Sequence, residues 1–115
     1  MLQRRSRGGA GRRRYRARVF AALGDETRLA LVAKLCEGER RSIWELAAGS
    51  RLTRQAITKH LRVLQRVGLV RCAHAGREAL FEFDPGPVGE MKEYLDFVSS
   101  RWDEKLGRLK AFVER

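Results

Sequence analysis

The chain has 115 residues, 43% hydrophobic and 34% charged, with 25 Lys and Arg against 14 Asp and Glu. That length suits one domain with a modest core. No apolar run reaches the roughly 18–20 residues of a membrane span, and no apolar segment follows the basic N-terminus as a secretory signal requires. The two cysteines, Cys36 and Cys72, have no framework spacing, which points to free thiols in a reducing, cytoplasmic compartment.

Residues 1–14 are rich in Arg and Gly with almost no apolar side chain, so they are expected to form a disordered basic arm ahead of a domain spanning residues 15–115. Eight arginines and no acid fall in residues 1–18. A first helix is predicted over residues 15–23, with Val19, Phe20 and Leu23 apolar and Gly24 ending it. Asp25 suits the N-cap of a second helix and Glu26 its positive end. Leu29, Leu31, Val32 and Leu35 make that helix mostly buried, and Gly38 closes it. Ser42 caps a short third helix over residues 43–48, with Glu45 at capping-box spacing. Gly49 and Ser50 form the turn to the next element.

Thr53 then caps a fourth helix, in which Ala56, Ile57, Leu61, Leu64 and Val67 recur at helical spacing and face a core. Arg54, Gln55, Thr58, Lys59 and Arg62 are left outward near its start. Arg and Gln are side chains that read guanine and adenine edges in a major groove. Two helices joined by a tight Gly-containing turn, the second one basic, make a helix-turn-helix whose second helix has the chemistry of a DNA reader. No Asp or Glu occurs between Glu45 and Glu78, while Arg51, Arg54, Lys59, Arg62, Arg66, Arg71 and Arg77 all do. That distribution is the footprint of a surface that meets phosphates. Acidic protein or membrane partners would also suit the charge, but they do not call for the Gln- and Thr-bearing face.

After Gly68 the period changes to two. Leu69 to His74 and Leu80 to Phe83 read as a β-hairpin, a wing, with a basic Ala75-Gly76-Arg77 tip. Asp84-Pro85-Gly86-Pro87 breaks the chain. A last helix over residues 88–113 carries an apolar stripe that includes Leu95, Val98, Trp102, Leu106 and Leu109. Such a helix, about 36–39 Å long at 1.5 Å per residue, overhangs a domain of this size, so the stripe is expected to pair with a second copy of the chain. The predicted architecture is mostly α with a small β-hairpin: a winged helix-turn-helix, order α-α-α-α-β-β-α, with dimerising terminal helices.

Several of these stretches resemble one family. Residues 20–29, Phe-Ala-Ala-Leu-Gly-Asp-Glu-Thr-Arg-Leu, are similar to the "ALxDxTRxxIL" opening of the ArsR-type (ArsR/SmtB-like) winged-helix repressors. Residues 52–64 resemble their "LSQSxVSxHLxxL" recognition segment, and residues 68–70 and 76–81 their "AGLV…GRxxxY" wing. The match covers about residues 19–84, with the motifs in the expected order. The resemblance implies a homodimeric bacterial or archaeal transcription regulator, usually a repressor of double-stranded DNA operators and often of its own operon. By motif position it implies DNA contacts from Thr53, Arg54, Gln55, Thr58, Lys59, Arg62 and the wing's Arg77. His60 falls at the family's "HL" position, close to the DNA backbone, where a packing or phosphate-neighbour role is the plainer reading.

Many members of that family release DNA on binding metal or arsenite. The Cys-x-Cys pair often used is absent from residues 43–48, and the terminal helix, with Asp96, Asp103, Glu104 and Glu114, has no histidine. Residues 102–109 resemble a branch in which metal ligands are often missing. Cys72 and His74 share a strand face but are too few ligands for a zinc or soft-metal site. No metal and no cofactor are therefore expected and both cysteines are expected to pack inertly; a metal- or thiol-responsive derepressor of the same fold, the thiol switch being at Cys72, stays open as an alternative. Nothing in the chain suggests an enzyme: there is no phosphate loop, no nucleophile beside a base and no carboxylate pair in a cleft. The other reading left open is a protein-binding adaptor that uses its dimer surface, which salt-dependent duplex binding would separate from a DNA reader.

Overall fold

The computed structural model describes residues 9–114. Helix α1 spans Gly9–Leu23, α2 Glu26–Leu35 and strand β1 Arg41–Ser42; α3 follows at Ile43–Ala47 and α4 at Arg54–Arg66. Strands β2 (Val70–Ala75) and β3 (Glu78–Phe83) form the hairpin, and α5 runs Gly86–Glu114.

Two expected boundaries are corrected. Helix α1 begins at Gly9 rather than near residue 15, so residues 9–14 do not belong to a disordered arm. Extending a helix adds a hydrogen bond per residue without a new nucleus, and Ala10 and the arginines are good helix formers. The rest of the expected arm, residues 1–8, lies outside the described residues. The sheet also has three strands, in the order β1-β3-β2. Arg41 and Ser42 pair antiparallel with Phe81 and Leu80, and two residues are too short to show a period in sequence. The element order is thus α-α-β-α-α-β-β-α.

The core collects Val19 of α1, Leu31 and Leu35 of α2, Leu46 of α3, Ile57, Leu61 and Leu64 of α4, then Leu69, Phe81 and Met91. The predicted inner face of α4 is therefore inside, with Ala56 half-buried at its margin. Tyr15 of α1 is also buried, and its hydroxyl donates to the Val67 carbonyl at 3.1 Å. Leu29 departs from expectation: it is 53% exposed, because α2 buries the side that carries Leu31 and Leu35.

Helix α4 ends in a Schellman motif. Gly68, at φ +81°, donates to the Gln65 carbonyl at 3.0 Å, and Leu69 donates to the Leu64 carbonyl, also at 3.0 Å. The accompanying apolar contact is between Leu64 and Leu69, both fully buried. The chain leaves this motif straight into β2. At the hairpin tip Ala75 faces Glu78, leaving the two-residue loop Gly76-Arg77. Gly76 has φ +64° and no other residue than glycine has positive φ among the described residues, which is the pattern of a type II′ turn.

Helix α5 divides in two. Its first turns pack inward through Pro87 and Met91, and Tyr94 meets the Phe20 ring edge-on at 6.1 Å between centroids. From Leu95 onward only Val98 is half-buried. Leu95, Phe97, Trp102, Leu106, Leu109, Phe112 and Val113 are all more than half exposed.

Candidate nucleic-acid interface

Three elements meet in an open groove of about 930 Å³. The outward face of α4 forms its floor, the start of α3 one wall and the hairpin tip the other. Thr53, Arg54, Gln55, Thr58, Lys59, Arg62 and Arg77, seven of the eight residues expected to meet DNA, line it. Four of them are cations, and Glu78 is the one acid among the groove residues. Four of the seven cations of the basic window seen in the sequence thus share one concave surface, while Arg71 pairs with Glu82 and Asp84 instead.

Local chemistry positions each side. Thr53 has extended backbone, and its hydroxyl oxygen accepts from the Ala56 N–H at 3.1 Å, which starts α4 so that Arg54 and Gln55 fall in its first, exposed turn. The Thr58 hydroxyl donates back to the Arg54 carbonyl at 2.8 Å, and Thr58 lines the groove. Helix α3 is anchored by a complete capping box: the Glu45 N–H donates to Ser42 Oγ at 3.2 Å, and the Ser42 N–H donates to Glu45 Oε1 at 2.9 Å. That backbone N–H holds the Glu45 carboxyl below its ordinary range.

His60 is not in the groove. Its Nδ1 lies 3.3 Å from an Arg28 guanidinium nitrogen and 3.8 Å from Asp25 Oδ2, on the side of α4 that faces the start of α2. Arg28 is the centre of that cluster. Its guanidinium also donates to the Ala21 and Ala22 carbonyls in the last turn of α1, where helix carbonyls run short of backbone partners; Ala21 accepts from the Gly24 N–H as well, at 3.1 Å. Asp25 accepts from the Arg28 N–H at 3.0 Å, and that bond, ahead of the nearby Arg28 and His60 charges, lowers its pKa below the usual carboxylate value. Asp25, read in the sequence as an N-cap, and Arg28 thus form a joint between α1, α2 and α4.

Trp44 was not anticipated as a groove residue. It is 66% exposed, and the Arg54 guanidinium carbon stands 3.8 Å from the centroid of its ring. A signal was available: on the short α3, Ile43, Leu46 and Ala47 share one face, so an aromatic at position 44 falls on the other. Cys36 and Cys72 are both exposed and unbridged, so neither packs as expected. Cys72 follows Val70 by two, but the hairpin projects past the core, and burial stops at Val70 on that strand. Among the described residues no three His, Cys, Asp or Glu side chains gather as metal ligands would, and no helix is long and apolar enough to cross a membrane.

A family profile described as a helix-turn-helix domain matches residues 23–73. The chain is 34% identical over 79 residues to the HTH-type transcriptional regulator Rv2034 of Mycobacterium tuberculosis, covering 69% of this chain and 73% of that protein. It is 36% identical over 76 residues to the uncharacterized HTH-type transcriptional regulator YuzN of Bacillus subtilis, covering 61% of this chain and 83% of that one. Among solved structures, an ArsR-like transcriptional regulator from Rhodococcus sp. RHA1 superimposes with a TM-score of 0.77 at 34% identity, over 89% of this chain and 95% of that one.

Proposed function

Because the chain belongs to the ArsR-like family of winged helix-turn-helix transcriptional regulators, we propose that it is a cytoplasmic homodimeric repressor that occupies a palindromic double-stranded DNA operator, its own promoter being the first candidate. The observation that carries this reading is the convergence of seven side chains, Arg77 among them from a separate element, on one basic groove. A DNA reader needs core on one side of its helix and base and phosphate chemistry on the other, and α4 has both. Arg54 and Gln55, at the exposed N-terminal turn, supply base contacts; Lys59 and Arg77 supply phosphate contacts; residues 1–8 add charge along the duplex. The stripe Leu95, Val98, Trp102, Leu106 and Leu109 of α5 joins two copies and sets the spacing of two half-sites. No cofactor takes part.

The test is selection of duplexes from a random pool, followed by affinity measurements on the selected sequence. Arg54→Ala or Gln55→Ala should cost about 1–3 kcal/mol and relax preference at a base, while Lys59→Ala and Arg77→Ala should weaken all duplexes alike. Wild-type binding that ignores salt would defeat the reading and favour a protein adaptor, since release of counterions from phosphates is unavoidable for a DNA binder.

A further inference from the structure

We propose that Trp44 is the positioning residue for Arg54, and that this stacked pair sets the preference for guanine at one base pair of each half-site. The inference rests on the DNA-reading role given to α4 above.

Trp44 is on a rigid mount. The capping box fixes the first turn of α3, and Leu46, fully buried, anchors the helix from its other side. The indole gains nothing from the core and stands instead in the groove wall. A large apolar side chain left in water at a concave polar surface calls for a reason of its own. The one contact that explains it is with Arg54, at 3.8 Å from ring centroid to guanidinium carbon.

Stacking of this kind holds a guanidinium by its face and leaves its N–H donors free around the rim. Among the described residues the Arg54 side chain has no carboxylate or carbonyl partner; only its backbone carbonyl is engaged, by Thr58. Among the described residues, Lys59, Arg62 and Arg77 share the groove without an aromatic face against them. Three cations are thus free to seek phosphates, and one is held in a fixed plane. A long, unheld arginine can satisfy itself on the nearest phosphate, but two parallel donors presented in one direction match the O6 and N7 acceptors of guanine. Holding the side chain before the duplex arrives also spares the loss of its rotamer freedom on binding.

The test uses the full chain and a random-sequence duplex pool as probe, with wild type, Trp44→Ala, Trp44→Phe, Arg54→Ala and the double variant Trp44→Ala/Arg54→Ala. Trp44 is exposed, so unfolding midpoints should match wild type. Arg54→Ala should erase a guanine preference at one position per half-site. Trp44→Ala should weaken preference at that same position by about two- to fivefold, the range of an exposed cation–π contact. Trp44→Phe should restore most of it. The double variant should select like Arg54→Ala alone, and affinity for a scrambled duplex, with its salt slope, should not move in either Trp44 variant. A loss spread evenly over the site, or one that adds to that of Arg54→Ala, would overturn the proposal by making Trp44 a DNA contact in its own right. If wild type selects a motif that Arg54→Ala leaves intact, the pair does not read bases although the helix does. If wild type selects no motif, the reading of α4 itself has failed.

Discussion

Two carboxylates cap helices next to α4, Asp25 at α2 and Glu45 in the capping box of α3, and both have a folded pKa below the ordinary 3.8 of Asp25 and 4.5 of Glu45. The leading cause at Asp25 is the backbone N–H of Arg28 and at Glu45 that of Ser42. A depressed folded value means that the unfolded chain binds the proton first, so their stabilisation is complete above the unfolded values and drains away as pH falls through the folded ones. Thermal unfolding followed from neutral pH down to about pH 3 should therefore show Asp25→Asn and Glu45→Gln losing less stability on acidification than wild type does. Asparagine still caps a helix through its side-chain oxygen, so Asp25→Asn removes the charge and keeps the cap. Equal acid sensitivity in all three proteins would place the titrating groups elsewhere.

The junction from α4 to β2 is set by one glycine. Gly68 holds φ +81°, a region that costs a residue with a Cβ about 1–2 kcal/mol. Space is not the obstacle, since a Cβ there would meet Pro87 Cγ at an ordinary 3.6 Å. Gly68→Ala should accordingly lower unfolding free energy by about 1–2 kcal/mol in a denaturant titration while leaving the secondary structure intact. Elements of this kind were legible in sequence because periodicity and end signals agree. Ile57, Leu61 and Leu64 recur at helical spacing, Thr53 opens the run and Gly68 shuts it. The strand β1 was not legible, because its partner Phe81 lies far along the chain and two residues carry no pattern. The contact of His60 with Arg28 spans 32 positions, so it depends on how α2 crosses α4. Trp44 was read only as a member of α3, because what makes it notable is the approach of a side chain from the next helix. The arginine-rich start of α1 was misjudged for a different reason: composition speaks for a segment in isolation, and these residues continue a helix already nucleated by Tyr15 and Val19 in the core.

Among the described residues little packs against α5 beyond Leu95, although that half carries most of the large exposed apolar side chains. At 29 residues it reaches about 43 Å at 1.5 Å per residue, well past the core. Leu106, 53% exposed, lies near the middle of that unpartnered stripe. Leu106→Asp should leave the isolated fold unharmed but place an unpaired ion in the joined surface. The cost is at least about 3 kcal/mol, or roughly a hundredfold in the dissociation constant of the dimer. Sedimentation at micromolar concentration checks this, and a monomeric wild type would refute it. Affinity for the operator should fall in step, because two half-sites are then read one at a time. Removal of residues 1–8, which hold three arginines, should instead leave association unchanged and flatten the dependence of log affinity on log salt by the phosphates those side chains neutralise.

The bond from the Tyr15 hydroxyl to the Val67 carbonyl lies where the groove's floor and hairpin wall diverge, one residue before Gly68. It clamps that corner to α1, and the Schellman bonds brace it from the other side. The two jaws of the groove consequently have a set gape. Under the DNA-reading role proposed for α4, the duplex rather than the groove should adapt, and sequences differ in how cheaply they deform. Base pairs that no side chain reaches should then alter affinity through their stiffness alone, and Tyr15→Phe, which removes the bond to Val67 while keeping the ring, should blunt that discrimination when flexible and rigid spacer sequences are compared in one operator.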